Sequence, residues 1–217
     1  IIICKPMSIV GDAEPFYHLY SKTGIEKGKY FIFKYIHFRH CAINIFFEKS
    51  LFQHCVFLNS QLNAIVDNFE AQYRETNIIF RKSLWLSKSY KHNKYFSKII
   101  IARYGKVYFE YCTFLSLSTY VMMPIITVEN IPEMNVINCS VKDIIGALME
   151  VTHCNKLSII RTVARNITLL MENNRHFQGI IKVKNIKIFV LKHSKMVALI
   201  GPAFLIQNTR TVLLKNT

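Results

Sequence analysis

The feature that most constrains this chain is a six-residue phrase that recurs along its 217 residues: apolar, any, His/Tyr/Asn, Cys, any, apolar. It reads Phe38-Arg39-His40-Cys41-Ala42-Ile43, Phe52-Gln53-His54-Cys55-Val56-Phe57, Phe109-Glu110-Tyr111-Cys112-Thr113-Phe114 and Val136-Ile137-Asn138-Cys139-Ser140-Val141, and it takes up four of the six cysteines. Relaxed copies run from Ile79 to Leu84 with Lys82 in the Cys slot, from Ile159 to Ala164 with Thr162, and from Leu191 to Met196 with Ser194. Leu214-Lys215-Asn216-Thr217 begins another. From Phe52 onward the starting points lie 27, 30, 27, 23, 32 and 23 residues apart.

A second phrase keeps a constant lead of eight residues over the first through four successive units. Val128 and Asn130 precede Val136 and Asn138, and Val151 and His153 precede Ile159 and Arg161. Val183 and Asn185 precede Leu191 and His193, and Ile206 and Asn208 precede Leu214 and Asn216. These units open on Pro124, Ala147, Gly179 and Pro202. Short apolar segments at this period, with two strand-like pieces locked together, are what stacked coils of a repeat protein require. Uneven increments favour strands over a helical array, because a coil can extrude a loop at a corner without disturbing the stack. The repeated positions are also rich in β-branched and aromatic residues, which suit strands. The expected fold is therefore all-β, a parallel β-solenoid with coils of about 23–32 residues, each adding about 4.8 Å of height.

The alignment predicts core columns. Phe52, Phe109, Val136, Ile159, Leu191 and Leu214 form one, and Phe57, Phe114, Val141, Ala164 and Met196 another. Between them Cys55, Cys112, Cys139, Thr162, Ser194 and Thr217 form a row of small side chains, the restriction a tight interior corner imposes. The polar row before it contains Asn138, and the leading phrase contributes Asn130, Asn185 and Asn208. Asn tolerates left-handed backbone angles, so these are predicted turn positions.

On these phrases the chain resembles the right-handed parallel β-helix, or pectin-lyase-like, repeat proteins, whose coils carry an apolar-x-Asn-Cys/Ser-x-Phe phrase at a corner. The resemblance covers residues 38 to 217 and is clearest from Lys98 onward. It implies a right-handed β-helix over 37–217; residues 1–36, with Gly11, Pro15, Gly24 and Gly28, lack the phrase and are read as an N-terminal cap, a hairpin or a partial coil. It also favours an extracellular or cell-surface location. Enzymes of this kind act on acidic polysaccharides with clustered aspartates, or with calcium held by carboxylates beside a basic proton acceptor. Here only Asp12, Asp67 and Asp143 are present, on different coils, while Glu110, Glu129, Glu133 and Glu150 could line one flank. The expectation leans away from catalysis, with a divergent polysaccharide lyase or hydrolase as the alternative.

Other chemistries have weaker support. His37, His40, Cys41, His54 and Cys55 offer zinc-type ligands, but adjacent His-Cys pairs point to opposite faces of a strand, so no metal site is expected. Stacked Cys112 and Cys139 would lie about one strand spacing apart, within reach of a disulfide in an oxidising compartment. No glycine cluster cradles a phosphate and no nucleophile motif is present, so no cofactor is expected. No run approaches the length of a membrane span. The first residues, without an initiator Met, and a chain ending in mid-phrase at Thr217 are read as signs of a longer protein.

What remains is charge. Lys and Arg number 28 against 13 Asp and Glu, a net +15 that favours polyanionic partners. The excess of 20 Lys over 8 Arg, with abundant Ile and Asn, is also what AT-rich coding produces, so the total alone names no partner. The densest basic and aromatic stretch holds Arg81, Lys82, Lys88, Tyr90, Lys91, His92, Lys94, Tyr95 and Lys98, and residues 86–98 are predicted to be an extruded loop. The expected function is a non-enzymatic repeat module for adhesion or acidic-glycan binding. A nucleic-acid-binding protein is the further alternative, since aromatic and basic residues together also suit single strands.

Overall fold

The computed structural model describes residues 2–3, 7–10, 16–19, 31–45, 49–65, 76–87, 97–118, 123–169 and 179–217. They form 21 β-strands and no helix. The first nine strands are β1 (Ile2–Ile3), β2 (Met7–Val10), β3 (Phe16–Leu19), β4 (Phe31–Lys34), β5 (Ile36–Arg39), β6 (Ala42–Ile45), β7 (Lys49–Gln53), β8 (Val56–Leu58) and β9 (Gln61–Ile65). Then come β10 (Asn77–Arg81), β11 (Leu84–Leu86), β12 (Lys98–Ala102), β13 (Lys106–Glu110) and β14 (Thr113–Leu115). After that point longer strands alternate with short ones: β15 (Ile126–Ile137), β16 (Ser140–Ile145), β17 (Met149–Ile160), β18 (Val163–Thr168), β19 (Ile181–Lys192), β20 (Lys195–Ile200) and β21 (Phe204–Lys215).

Pairing is parallel throughout. Through β12, each strand bonds to the strand three places on in the chain, so the strands come in stacked triplets. From β15 onward the third strand of one triplet runs without a break into the first of the next. Ile126 continues the register of Ile99, whereas Val136 continues that of Phe109. This fusion joins two stacks into one sheet of 13 strands, which curls as a half-barrel, and leaves a second sheet of 8. The pairing begins before residue 37, since Ile2 registers with Ile32 and Met7 with Ile36.

Both predicted core columns exist, and each gains members that the phrase missed. Phe33, Phe52, Phe80, Phe109, Val136, Ile159, Leu191 and Leu214 register in one line. Phe38, Phe57, Trp85, Phe114, Val141, Ala164 and Met196 register in the other. In the four layers from Phe33 to Phe109 both columns are aromatic. Successive rings of the first lie 4.7, 5.2 and 5.0 Å apart and nearly parallel. Those of the second lie 5.0, 4.6 and 5.1 Å apart. The strand spacing dictates this stacking, and the two columns meet edge to face, the geometry that ring quadrupoles favour. Where Phe109 and Phe114 give way to Val136 and Val141, the core keeps a void of about 20 Å³ lined by Phe114, Val136, Ile159, Ala164 and Met196.

Two readings of the phrase are corrected. Phe80, not Ile79, registers with Phe52, so Ser83 takes the small slot and Lys82 the exposed corner beside it. Phe38 registers with Phe57, which places Cys41 at the next corner of the triplet, where its N–H donates to Ser60 Oγ at 3.4 Å. Both errors have one cause. Every corner makes the same local demand, a residue with positive φ followed by a small inward one, so the phrase does not say which corner it occupies.

One inward position is anomalous. Ser50 lies in a column with Phe31, Ile78, Val107 and Met134, fully buried, and its Oγ has no partner among the described residues. Burying a lone hydroxyl costs stability. Ser50→Ala is therefore expected to raise the unfolding free energy by about 1 kcal/mol, read from the denaturant midpoint. A lower midpoint would mean that the hydroxyl has a stabilising role.

Candidate functional site

Three corner columns carry left-handed residues. The first contains Tyr35, His54, Lys82, Tyr111, Asn138, Arg161, His193 and Asn216, with φ between 50° and 58°. Left-handed backbone costs a side-chain-bearing residue about 1–2 kcal/mol. Here each corner N–H donates to a carbonyl of the next layer, from Tyr35 to Gln53 O at 3.1 Å through His193 to Lys215 O at 2.9 Å. The ladder thus continues through the corner and offsets the strain. The third column holds Asn130, His153, Asn185 and Asn208, also at positive φ. Along it the Asn208 amide donates to Asn185 Oδ1 at 3.0 Å and Asn185 Nδ2 meets His153 Nε2 at 3.0 Å.

The small slot inside the first corner has a chemical reason as well as a steric one. Cys55 Sγ donates to Phe33 O at 3.4 Å, Cys112 Sγ to Phe80 O at 3.3 Å and Cys139 Sγ to Phe109 O at 3.3 Å. Ser83 Oγ donates to Phe52 O at 3.2 Å and accepts the Cys55 N–H at 3.3 Å. Thr162 Oγ1 accepts the Cys139 N–H at 3.4 Å, and Ser194 Oγ accepts the Thr162 N–H at 3.2 Å. Backbone groups that leave the strand ladder at a turn must find partners, and a short side chain with a hydroxyl or thiol supplies them.

These thiols are free and buried. Burial pushes Cys55 up to about 11 and Cys154 up to about 12, so both stay protonated near neutrality. Burial also raises Cys112, while its hydrogen bond to Cys139 favours any thiolate on Cys139. His54 stacks on Tyr35 at 5.1 Å, away from the inward Cys55, and the described residues contain no cluster of metal ligands.

The carboxylates do not share one flank. Glu110 and Glu133 lie on the first stretch of the triplet, and Glu129 and Glu150 on the third, beyond the Asn130 corner. Cations accompany most of them. Arg81 Nε holds Glu110 at 2.7 Å, Lys182 holds Glu150 at 2.7 Å, and Glu133 sits between Lys106 at 3.8 Å and Lys156 at 4.0 Å. Glu133 lies opposite Lys106, four residues before Glu110, so the backbones at Glu133 and Glu110 are about 13 Å apart along the strands.

Of the basic stretch anticipated at 81–98, Lys88, Tyr90, Lys91, His92, Lys94 and Tyr95 lie outside the described residues. The remaining three lie on separate elements. Arg81 is neutralised by Glu110, Lys82 stands at the first corner, and Lys98 opens β12 on the third stretch. The surplus of charge lies elsewhere. After residue 150 the chain has eleven Lys or Arg and a single Glu, so ten of the fifteen net charges fall in its last third. Around the first corner, Arg161, Lys192, Lys195 and Lys215 have no carboxylate partner among the described residues, and Lys192 lies directly opposite Lys215. Like charges in register repel. This patch was not legible locally, because Arg161, Lys192 and Lys215 are separated by whole repeats. Compared with protein families, with curated proteins and with solved structures, the chain matches none of them.

Proposed function

We propose that this chain is a right-handed parallel β-helix serving as a non-catalytic module that presents a basic flank to acidic polysaccharide. The fold reading is supported by parallel pairing three strands on, by corner residues recurring once per layer, and by the strong right-handed preference of parallel crossovers. The functional reading rests on one observation. Carboxylates in the described part are mostly occupied by neighbouring cations, while exposed cations accumulate unpaired in the last layers.

The test is binding of sulfated and uronate polysaccharides, neutral glycans and single-stranded nucleic acid over a salt series. The expected result is retention of an acidic polysaccharide at about 0.15 M salt, at least about tenfold tighter than nucleic acid of matched charge. Weak binding to every polyanion, vanishing with salt, would reduce the +15 to composition and overturn the reading.

A further inference from the structure

The first corner column is an exposed line. Tyr111 is 56% exposed, Asn138 is half-buried, and Arg161, His193 and Asn216 are exposed, one per layer. From Tyr111 to Asn216 the line spans four strand spacings, about 19 Å. Lys192 and Lys195 flank it in the layer of His193, and Lys215 in the layer above.

We infer that this corner is a ridge along which an acidic polysaccharide lies with one sugar per layer, an assignment that rests on the function proposed above. The rise of a pyranose unit in an extended 1,4-linked chain is close to one strand spacing, so ligand and protein repeat in step. The ridge supplies two complementary chemistries. At one end the Tyr111 ring, flanked by the non-aromatic Lys82 and Asn138, offers an apolar surface to a sugar ring. At the other, Arg161, Lys192, Lys195 and Lys215 meet carboxylate or sulfate groups, which also relieves the repulsion between Lys192 and Lys215. A run of stacked bases needs closely spaced ring platforms, whereas the rings of this ridge, Tyr111 and His193, stand three layers apart, about 14 Å.

The experiment compares two triple variants of equal charge change. Arg161→Ser, Lys192→Ser and Lys195→Ser remove three of the four ridge cations, and Lys184→Ser, Lys187→Ser and Arg210→Ser remove exposed cations beside the third corner. If each ridge contact is worth about threefold, the first variant weakens an acidic oligosaccharide on the order of 30-fold, and the second by less than about threefold. A length series checks the register independently on the unaltered protein. Affinity rises with each added sugar up to five, one for each layer from Tyr111 to Asn216, and then levels off. Equal losses in the two variants, or affinity that tracks total ligand charge with no plateau, would overturn the ridge while leaving the proposed function intact. Absence of any selective acidic-glycan binding by the unaltered protein would overturn both. Tighter binding of single-stranded nucleic acid, with ridge-specific loss, would keep the surface and overturn its occupant.

Discussion

Trp85→Ala is expected to lower the unfolding free energy by about 3–5 kcal/mol, the usual cost of deleting a fully buried large aromatic. Trp85 is 1% exposed and lies between Phe57 at 4.6 Å and Phe114 at 5.1 Å, with Phe80 and Phe109 edge-on at 5.0 and 5.9 Å. Truncation therefore opens a cavity in both columns at once. The layers above and below are held at the strand spacing by their own hydrogen bonds and cannot collapse into the gap. Trp85→Phe keeps a ring in the stack, as its column neighbours do, and should cost less than about 1.5 kcal/mol. Denaturation followed by circular dichroism measures both, because Trp85 is the only tryptophan and its removal deletes the fluorescence signal. A loss below about 1 kcal/mol for the alanine variant would mean that the aromatic columns do not bear the core.

The second large effect is at the corner slot. Ser83→Ala removes one methyl-sized hydroxyl but leaves two backbone groups without their partner, the Cys55 N–H and the Phe52 carbonyl. Each buried orphan group costs about 1–3 kcal/mol, and the carbonyl keeps a second lone pair, so the expected loss is about 2–3 kcal/mol. Ser83→Cys should recover most of it, since a thiol fills the same slot at Cys55, Cys112 and Cys139 and donates to the equivalent carbonyl. The pair separates two explanations of the slot. If size alone mattered, alanine and cysteine would both be tolerated; if hydrogen bonding matters, only cysteine is. Midpoints of denaturant unfolding decide between them.

The two variants probe different parts of what was readable in advance. The core columns through Phe52, Phe109 and Val136 could be aligned from the phrase, and so could the leading positions Val128, Val151, Val183 and Ile206, which do register with one another. The small row was also visible as a row, although its hydrogen bonds were not. In Phe80 and Ser83 the alignment slipped by one residue, because Ile79 and Phe80 are both apolar and side-chain type could not choose between them. In strands such a slip exchanges the two faces.

The candidate site was less legible than the fold. Local density drew attention to residues 81–98, yet Arg81 is occupied by Glu110, a residue in the next layer. The corner patch joins Arg161, Lys192, Lys195 and Lys215 across three layers, and no window along the chain contains them together. By itself, the sequence determined the strands, the apolar columns and the polar corners, because each is a demand that a short stretch of backbone makes on its own side chains. Only the tertiary structure decided which corner each phrase occupies, which charges are neutralised and which are left in register to repel, because those depend on the pairing of strands 23 to 32 residues apart.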